Sequence, residues 1–232
     1  MQDLKPKAFF DLAKFKYAFL FDDCEFVWDA IKKIDAYLDS YKEFKIDVPI
    51  PEGVFLENRE KISIGIGTVV EPGAYIRGPC IIGENCTIRH GAYIRGHVLT
   101  GRDCVIGHTT EVKSSIFLNH AKAGHFAYVG NTILGNDVNV GAGTAFANLK
   151  LDDKEIAINV NGQTIKTGLR KFGAIIGDHC QLGCNSVTNP GTVLGKNVWG
   201  YPCLNLGGFI PAESIVKPSE KAIIVPKKQK ST

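Results

Sequence analysis

An aliphatic side chain at every sixth position constrains this chain more than any other feature. The series starts at Ile64 and continues through Val70, Ile76, Ile82, Ile88, Ile94, Thr100, Ile106 and Val112, with threonine replacing the aliphatic residue once. Glycine often follows the repeated residue, as in "IGIGT" and "VIGHT". Neither an α-helix nor an ordinary strand has a period of six. This hexapeptide repeat predicts an all-β fold, a parallel β-helix in which each hexapeptide forms one flat side and its corner.

Two interruptions divide the repeat. After Val112 the repeat can be followed further if two hexapeptides are one residue shorter. That reading places Phe117, Ala123, Val129, Leu134 and Val140 inside the coil. A second break covers residues 150–171, where "IAINV" and "TIKT" flank Asn161-Gly162. An Asn-Gly pair between alternating strands is typical of a β-hairpin, so we predict a hairpin inserted in the β-helix. The repeat then resumes at Ile176.

The first 45 residues lack the repeat. In "CEFVWDAIKKIDAYLDSYKEF" the apolar residues recur at helical spacing, which predicts an amphipathic helix that caps the first coil. The predicted organisation is a helical cap over 1–45, a connector over 46–63, a β-helix over 64–215 and a basic tail over 216–232.

Composition excludes several classes of function. A net charge of +3 on 232 residues gives no reason to expect a nucleic-acid or membrane partner. Charged residues interrupt the apolar N-terminus, and no later segment is long enough to span a bilayer, so a cytoplasmic location is expected. Seven cysteines without CxxC pairs argue against disulfides or a zinc knuckle. Four of them (Cys80, Cys86, Cys104 and Cys180) share one phase of the repeat, and we expect them to be reduced and buried.

A column of cations follows from the period. Hexapeptide repeats of this type resemble those of left-handed triangular β-helices, which have three hexapeptides and thus eighteen residues per coil. Arg77, Arg95 and Lys113 are eighteen apart, so they should stack at roughly 4.8 Å intervals. Like charges this close need a counter-charge, which makes the column a candidate anion site, with Glu111 supplying part of that charge. The alternative is a solvated basic edge.

One of the six histidines has an unusual context. His90 and His108 are eighteen apart and should occupy outward corners without a special role. His125 lies in "AKAGHFAYVGN", where the frame is disturbed, and Tyr128 follows three residues later. A histidine that titrates near neutrality suits general base catalysis, although most histidines are merely satisfied polar groups.

Several segments together carry a family resemblance. "IRHGAYIRG", "EVKSS", "AKAGHFAYVGN", "GNDVNVGAGTAFANL" and "RKFGAIIGD" resemble the acetyltransferase domain of the bifunctional N-acetylglucosamine-1-phosphate uridylyltransferase/glucosamine-1-phosphate acetyltransferases. The resemblance covers roughly residues 64–210. It implies a left-handed β-helix, acetyl-CoA as co-substrate, glucosamine-1-phosphate as acceptor and no metal requirement. It also implies a homotrimer with sites between subunits.

The resemblance also implies a role for each matching residue. His125 corresponds to the catalytic base, Arg95 and Lys113 to the residues that hold the sugar phosphate, and Glu111 to an acid near the substrate amine. Tyr128 and Asn139 match further sugar-site residues. The backbone of Ala142 and the side chain of Asn148 match acetyl-CoA-side positions, and Lys171 matches a lysine supplied by a neighbouring subunit.

Two departures from the family pattern affect the prediction. The first 60 residues contain one glycine, Gly53, and do not match a nucleotidyltransferase domain, so no uridylyltransferase or pyrophosphorylase activity is expected. No arginine follows Arg170, whereas the family contacts the coenzyme phosphate with a C-terminal arginine. Lys227, Lys228 or Lys230 are the candidates to replace it.

Two other functions remain open at this point. A zinc hydratase would use His120 and His125 at a subunit interface, but it explains neither the cation column nor "NVNVGAGT". A non-catalytic scaffold or sugar-phosphate-binding regulator would keep the coil without turnover. An assay with acetyl-CoA and glucosamine-1-phosphate separates the enzyme from both.

Overall fold

Twenty-four short strands, all parallel to their neighbours, build three sheets of eight that wind around one axis. The computed structural model describes residues 4–219. We name each sheet, or face, after one residue in it. The Val112 face contains Phe55–Glu57, Tyr75–Arg77, Tyr93–Ile94, Glu111–Lys113, Tyr128–Gly130, Ala145–Phe146, Val187–Thr188 and Asn205–Leu206. Successive strands on a face come from successive coils.

The other two faces are built in the same way. The Leu99 face contains Ile62–Ile64, Cys80–Ile82, Val98–Thr100, Ser115–Phe117, Ile133–Leu134, Ala174–Ile176, Thr192–Leu194 and Phe209–Ile210. The Ile106 face contains Val69–Val70, Thr87–Ile88, Val105–His108, Lys122–His125, Asn139–Val140, Gln181–Leu182, Trp199–Gly200 and Ile215–Val216. The predicted left-handed parallel β-helix is confirmed.

The repeated aliphatic residues form the interior of the β-helix. Ile64, Ile76, Ile94 and Ile106 are all fully buried in one continuous core. The five residues predicted inside after the frame disturbance also belong to it, namely Phe117, Ala123, Val129, Leu134 and Val140. The four cysteines at the repeat phase are buried and unpaired, as expected, whereas Cys184 and Cys203 are free and exposed. Each of the three faces turns one such side chain inward in every coil, so the interior residues recur every six positions along the chain.

Glycine follows the interior residue at corners where the backbone of the next coil packs directly against it. A Cβ at Gly107 would lie 1.7 Å from the carbonyl oxygen of Gly124 in the next coil. A Cβ at Gly83 would lie 2.1 Å from the carbonyl oxygen of Gly101. These distances leave no space for a side chain, so glycine at these corners is a packing requirement.

The inserted hairpin has the predicted form. Ala157–Val160 pairs antiparallel with Gln163–Lys166. The turn residues Asn161 and Gly162 have φ values of 52° and 83°, which a tight type I′ turn requires. Ile156 and Ile158 are buried in a second core, outside the β-helix interior. The hairpin is thus docked on the side of the β-helix.

The N-terminal segment lies along one side of the β-helix, not over its open end as the sequence analysis expected. Its helices are the 3₁₀ turns Pro6–Ala8 and Ala18–Phe21 and the α-helix Asp29–Ser40, here called α1; a further 3₁₀ turn is Arg59–Lys61. The segment packs with the hairpin against outward-facing apolar residues of the Leu99 face, which are Ile81, Leu99, Ile116, Ile133, Ile175 and Val193. Because that face is apolar on both sides, it needs a cover, and these elements provide it.

The strands of the β-helix start before residue 64. The first strand is Phe55–Glu57, inside the predicted connector, and Leu56 pairs with Ile76. Twenty residues separate that pair because the Arg59–Lys61 turn adds to the coil, so the period of eighteen fails there. Residues 220–232, with the lysines proposed for the coenzyme phosphate (Lys227, Lys228 and Lys230), lie outside the described residues.

A buried carboxylate ties the N-terminal segment to the later coils. Asp178 Oδ2 accepts a hydrogen bond from the Asp11 N–H at 2.6 Å, and its Oδ1 accepts from the Asn136 N–H at 2.7 Å. Burial raises the pKa of Asp178, although these donors and Lys196 oppose the rise. The segment is thereby held by polar contacts as well as by the apolar core. Within residues 4–219, no helix combines the length and apolar character needed to cross a membrane.

Candidate functional site

The three predicted ladder cations lie on successive coils. Ile76 pairs with Ile94, and Ile94 pairs with Val112. The residue after each of these is a cation, so Arg77, Arg95 and Lys113 follow one another along the same edge of the Val112 face. The register thus agrees with the prediction from the period of eighteen.

Two of the three cations are paired with carboxylates. Arg77 Nε donates to Glu57 Oε2 at 2.8 Å, and Tyr75 Oη donates to the same oxygen at 2.6 Å. Arg95 Nη1 donates to Glu111 Oε1 at 2.6 Å, so Glu111 is the predicted counter-charge. Among the described residues, Lys113 forms no such ion pair. The Lys113 end of the ladder therefore retains positive charge for an anion.

Lys113 is crowded by other cations. Its pKa is lowered by burial, then by the charges of Lys171 and Arg95, while Asp35 and Glu111 oppose this. Lys171 acts on Lys113 within the same chain, and its backbone pairs with Leu149 across the base of the hairpin. The expectation that a neighbouring subunit supplies Lys171 to the site stays a prediction, because one chain cannot show which subunit's ligand Lys171 would contact. We call Arg95, Lys113 and Lys171 the cation cluster.

Tyr128 and Asn148 form a polar wall beside the cation cluster. Tyr128 pairs with Glu111 on the Val112 face, and burial raises its pKa. Its hydroxyl donates to Asn148 Oδ1 at 3.4 Å, and Asn148 Nδ2 donates to Asn131 Oδ1 at 2.7 Å. Asn148, matched by resemblance to the coenzyme side, thus lies next to the residues matched to the sugar side.

His125 and Ala142 lie at the opposite end of the Val112 face. His125 ends its strand on the Ile106 face and pairs with His108 of the preceding coil. The Gly143 N–H donates to the His125 carbonyl at 3.2 Å, which places Ala142 on the coil above the histidine. The His125 side chain is exposed, with the ring of Phe126 centred 6.3 Å away. This corner could present a base and a backbone N–H to one ligand.

Asn139 lies away from the other predicted sugar-site residues. It is exposed on the Ile106 face, in register with Lys122 and Gln181. The His125 corner separates it from Tyr128. One chain therefore brings the cation cluster, Glu111, Tyr128 and Asn148 together on the Val112 face. His125 and Ala142 lie at the corner that precedes this face, and Asn139 lies on the Ile106 face.

Three further residues near the site were not among the predicted site residues. Tyr93 pairs with Glu111, and its ring lies 5.9 Å from the Arg95 guanidinium carbon. The period of eighteen between Tyr93 and Glu111 would have identified it. Asn131 was missed because the coil before it is one residue short. Asp35 comes from α1, which has no register with the coils.

The histidine pair considered for zinc is divided between two corners. His120 lies at the corner after the Leu99 face, with its Nδ1 3.8 Å from Asp103 Oδ2. His125 lies at the next corner, after the Ile106 face. Among residues 4–219, no group of three or more His, Cys, Asp or Glu side chains is placed to hold a metal ion.

Comparisons with known proteins identify relatives of the β-helix. The family model of the GMPPB C-terminal domain matches residues 76–169. A bifunctional sugar-1-phosphate nucleotidylyltransferase/acetyltransferase of Sulfurisphaera tokodaii is 45% identical over 92 residues, which are 40% of this chain and 23% of that protein. The bifunctional protein GlmU of Methanococcus aeolicus is 36% identical over 121 residues, 52% of this chain and 29% of the relative.

A longer match comes from a bacterium. The bifunctional protein GlmU of Streptococcus pyogenes is 33% identical over 173 residues, 74% of this chain and 30% of that protein. A solved polysialic acid O-acetyltransferase covers 77% of this chain and 93% of its own, at 16% identity and a TM-score of 0.31, which is too distant to bear on chemistry. The matched region spans less than a third of the curated relatives' length. The homologues of this chain are thus bifunctional sugar-1-phosphate nucleotidylyltransferase/acetyltransferases, as the motifs predicted.

Proposed function

We propose that this chain transfers the acetyl group of acetyl-CoA to the amine of glucosamine-1-phosphate, an amino-sugar phosphate. Such a product serves the synthesis of UDP-N-acetylglucosamine and cell-envelope precursors. The observation that carries the proposal is the cation cluster, in which Lys113 and Lys171 add positive charge to the Arg95–Glu111 pair on the face that contains Tyr128. The relatives include a bifunctional sugar-1-phosphate nucleotidylyltransferase/acetyltransferase, which supports acetyl transfer as the reaction class.

The cation cluster suits a phosphate monoester. An arginine guanidinium can hold two phosphate oxygens at once, and a lysine ammonium adds a point charge beside it. Arg95 keeps that geometry ready because Glu111 already orients its guanidinium. We infer that the phosphate binds between Arg95 and Lys113, with Lys171 closing the open side.

Acetyl transfer needs a base and a stabiliser of negative charge. As the amine attacks the thioester carbonyl, it forms a C–N bond and must lose a proton, which His125 accepts in this proposal. The carbonyl oxygen becomes an oxyanion, which the N–H of Ala142 stabilises, and the intermediate then expels the coenzyme thiolate. Glu111 is assigned to the neighbourhood of the substrate amine, Tyr128 and Asn139 to the sugar, and Asn148 to the coenzyme side. No step requires a metal.

We also propose a homotrimer, because the proposed base His125 and the cation cluster lie at opposite edges of one face. A neighbouring chain packed on that face would bring its own corner close to the cation cluster, a closed cyclic arrangement. Light scattering on the purified protein tests this assembly, and an active monomer would contradict it.

An assay of thiol release from acetyl-CoA with glucosamine-1-phosphate tests the proposed reaction directly. We expect thiol release that depends on both substrates, and mass spectrometry should show one acetyl group on the sugar nitrogen. Sugar-phosphate binding without turnover would instead favour the regulator considered above. Bound zinc with hydration activity would favour the hydratase.

A further inference from the structure

Helix α1 follows the edge of the β-helix that carries the ladder. Asp39, near its C-terminal end, accepts a hydrogen bond from His97 Nε2 at 2.9 Å. His97 comes two residues after Arg95, at the corner that ends the Val112 face in that coil. Near the other end of α1, a Cβ at Gly168 would lie 3.2 Å from Lys32 Nζ. The charged side of α1 therefore contacts this corner near its C-terminal end and the segment after the hairpin near its N-terminal end.

Asp35 lies between these two contacts. It precedes Asp39 by one helical turn, so the two carboxylates share one side of α1 and are separated by about 6 Å along the helix. Neighbouring coils are roughly 4.8 Å apart. If Asp39 is level with His97, Asp35 is therefore level with the next coil, which contains Lys113 and Ser114 at the same corner.

Both Asp35 and Lys113 lack a partner in the described part of the chain. Asp35 Oδ1 is buried and accepts no hydrogen bond. Lys113 is half-buried and forms no ion pair there, although its neighbours include two further cations. A buried carboxylate oxygen without a donor is costly, as is an ammonium surrounded by like charges. One contact between the two would relieve both.

We propose that Asp35 is a positioning residue of the anion site, which pairs with Lys113 across the boundary between α1 and the β-helix. The N-terminal segment is then a wall of the site as well as a cover for the Leu99 face. The charged groups around Lys113 are Arg95 and Glu111 on the Val112 face, Lys171 after the hairpin and Asp35 on α1. That the pair serves acetyl transfer rests on the proposed function, but the pair itself can be tested without turnover.

Competitive labelling with acetic anhydride, read by peptide mass spectrometry, measures the neutral fraction of each lysine amine. Asp35→Asn removes the charge that opposes Arg95 and Lys171, so Lys113 should lose its proton more easily. We expect its labelling at fixed alkaline pH to become about threefold faster or more. Asp35→Glu should restore slow labelling. The matched control is Asp39→Asn, one turn away, which should leave the Lys113 rate unchanged.

Lys32 reports whether α1 stays docked. If Asp35→Asn merely loosened the helix, the labelling of Lys32 would rise together with that of Lys113. That outcome overturns the proposal, as does an unchanged Lys113 rate or an equal effect of Asp39→Asn. Faster labelling of Lys113, with Lys32 unaffected, supports it.

Inorganic phosphate separates this proposal from the proposed function. In the parental protein, phosphate should protect Lys113 from labelling if the cation cluster is an anion site. If phosphate does not protect Lys113 but Asp35→Asn still speeds its labelling, the anion site is contradicted and the Asp35–Lys113 pair is supported. If phosphate protects Lys113 but Asp35→Asn does not change its labelling rate, the pair is contradicted and the anion site is supported.

Discussion

Arg95 Nη1 and Glu111 Oε1 are 2.6 Å apart, although sixteen residues separate them along the chain. They meet because one coil returns the chain to the Val112 face, where Glu111 pairs with Tyr93, two residues before Arg95. Both side chains are more than a third exposed, at 38% and 35%. An ion pair this exposed contributes little to the free energy of unfolding, about 1 kcal/mol at most. Substitutions at Arg95 can therefore test ligand binding without unfolding the coil.

Arg95→Ala should weaken glucosamine-1-phosphate far more than acetyl-CoA. Loss of a charge-assisted contact costs about 1.5–3 kcal/mol, or on the order of ten- to a hundredfold in apparent affinity. The loss should be much smaller for unphosphorylated glucosamine, since that sugar lacks the anion. Steady-state kinetics with both sugars measures the difference.

Arg77→Ala is the matched control for that experiment. Arg77 occupies the same column one coil earlier, but it is not among the charges that act on Lys113, so it lies outside the cation cluster. We expect its removal to leave the apparent affinity for both sugars close to that of the parental protein. Equal losses for the two sugars in Arg95→Ala would mean that the column holds the fold or the coenzyme.

His125→Ala should abolish most acetyl transfer while the coil stays folded. The side chain is exposed, and loss of a general base costs about 10²–10⁴ in rate. Circular dichroism checks the fold, and thiol release checks the rate. His90→Ala, which removes an exposed histidine from the same corner column two coils earlier, should keep parental turnover. Near-parental turnover in His125→Ala would show that another group accepts the proton.

Sugar-phosphate binding should weaken at alkaline pH, earlier than an ordinary lysine predicts. Burial and the neighbouring cations lower the pKa of Lys113, so its ammonium loses its proton as the pH rises through that lowered value. Phosphate then loses one of its charged partners. For the free energy of unfolding the sign is opposite, because the unfolded chain holds this proton more tightly, and the contribution of Lys113 to stability increases over the same range.

Lys113→Arg tests that pH dependence. Arginine stays protonated throughout the accessible range, so the alkaline loss of affinity should become smaller. Titration calorimetry with glucosamine-1-phosphate between neutral and alkaline pH measures it. An identical alkaline loss in both proteins would assign the titration to a different group.

Gly107→Ala should destabilise the β-helix by about 2 kcal/mol or more, within the range for overpacked sites. The new Cβ would lie 1.7 Å from the carbonyl oxygen of Gly124, which is backbone and cannot turn away. Gly124→Ala is the matched control, because the nearest atom to its Cβ would be Arg89 Nη1 at 4.0 Å. Urea unfolding of both variants measures the difference. Similar free energies of unfolding would mean that the corners can open without cost.

Much of the fold followed from the period of six because a β-helix repeats its environment in every coil. Val112 is buried for the same reason as Ile94 directly below it, so one rule predicts the whole interior. The hairpin was equally local, since Asn161-Gly162 specifies its turn without help from the rest of the chain. The ladder, and its pairing with Glu111, follow from the same register.

The residue roles that the family resemblance implies do not follow from the repeat. The side chains of Tyr128 and Asn148 lie in contact, but the assignments of His125, Asn139 and Ala142 stay predictions until activity is measured. Motifs name residue types at matching positions. They do not say which residues meet within one chain and which meet across two.

The sequence by itself determined what repeats: the interior of the coil, the stacked cations and the glycine corners, because each depends on a spacing along the chain. Only the tertiary structure decided where the elements without the repeat dock. Helix α1 covers the Leu99 face instead of the open end, and Lys171 returns to Lys113 after the hairpin. These placements depend on the shapes and charges of surfaces far apart in sequence, and no period encodes them. The environment of Asp35 was therefore visible only in the folded chain.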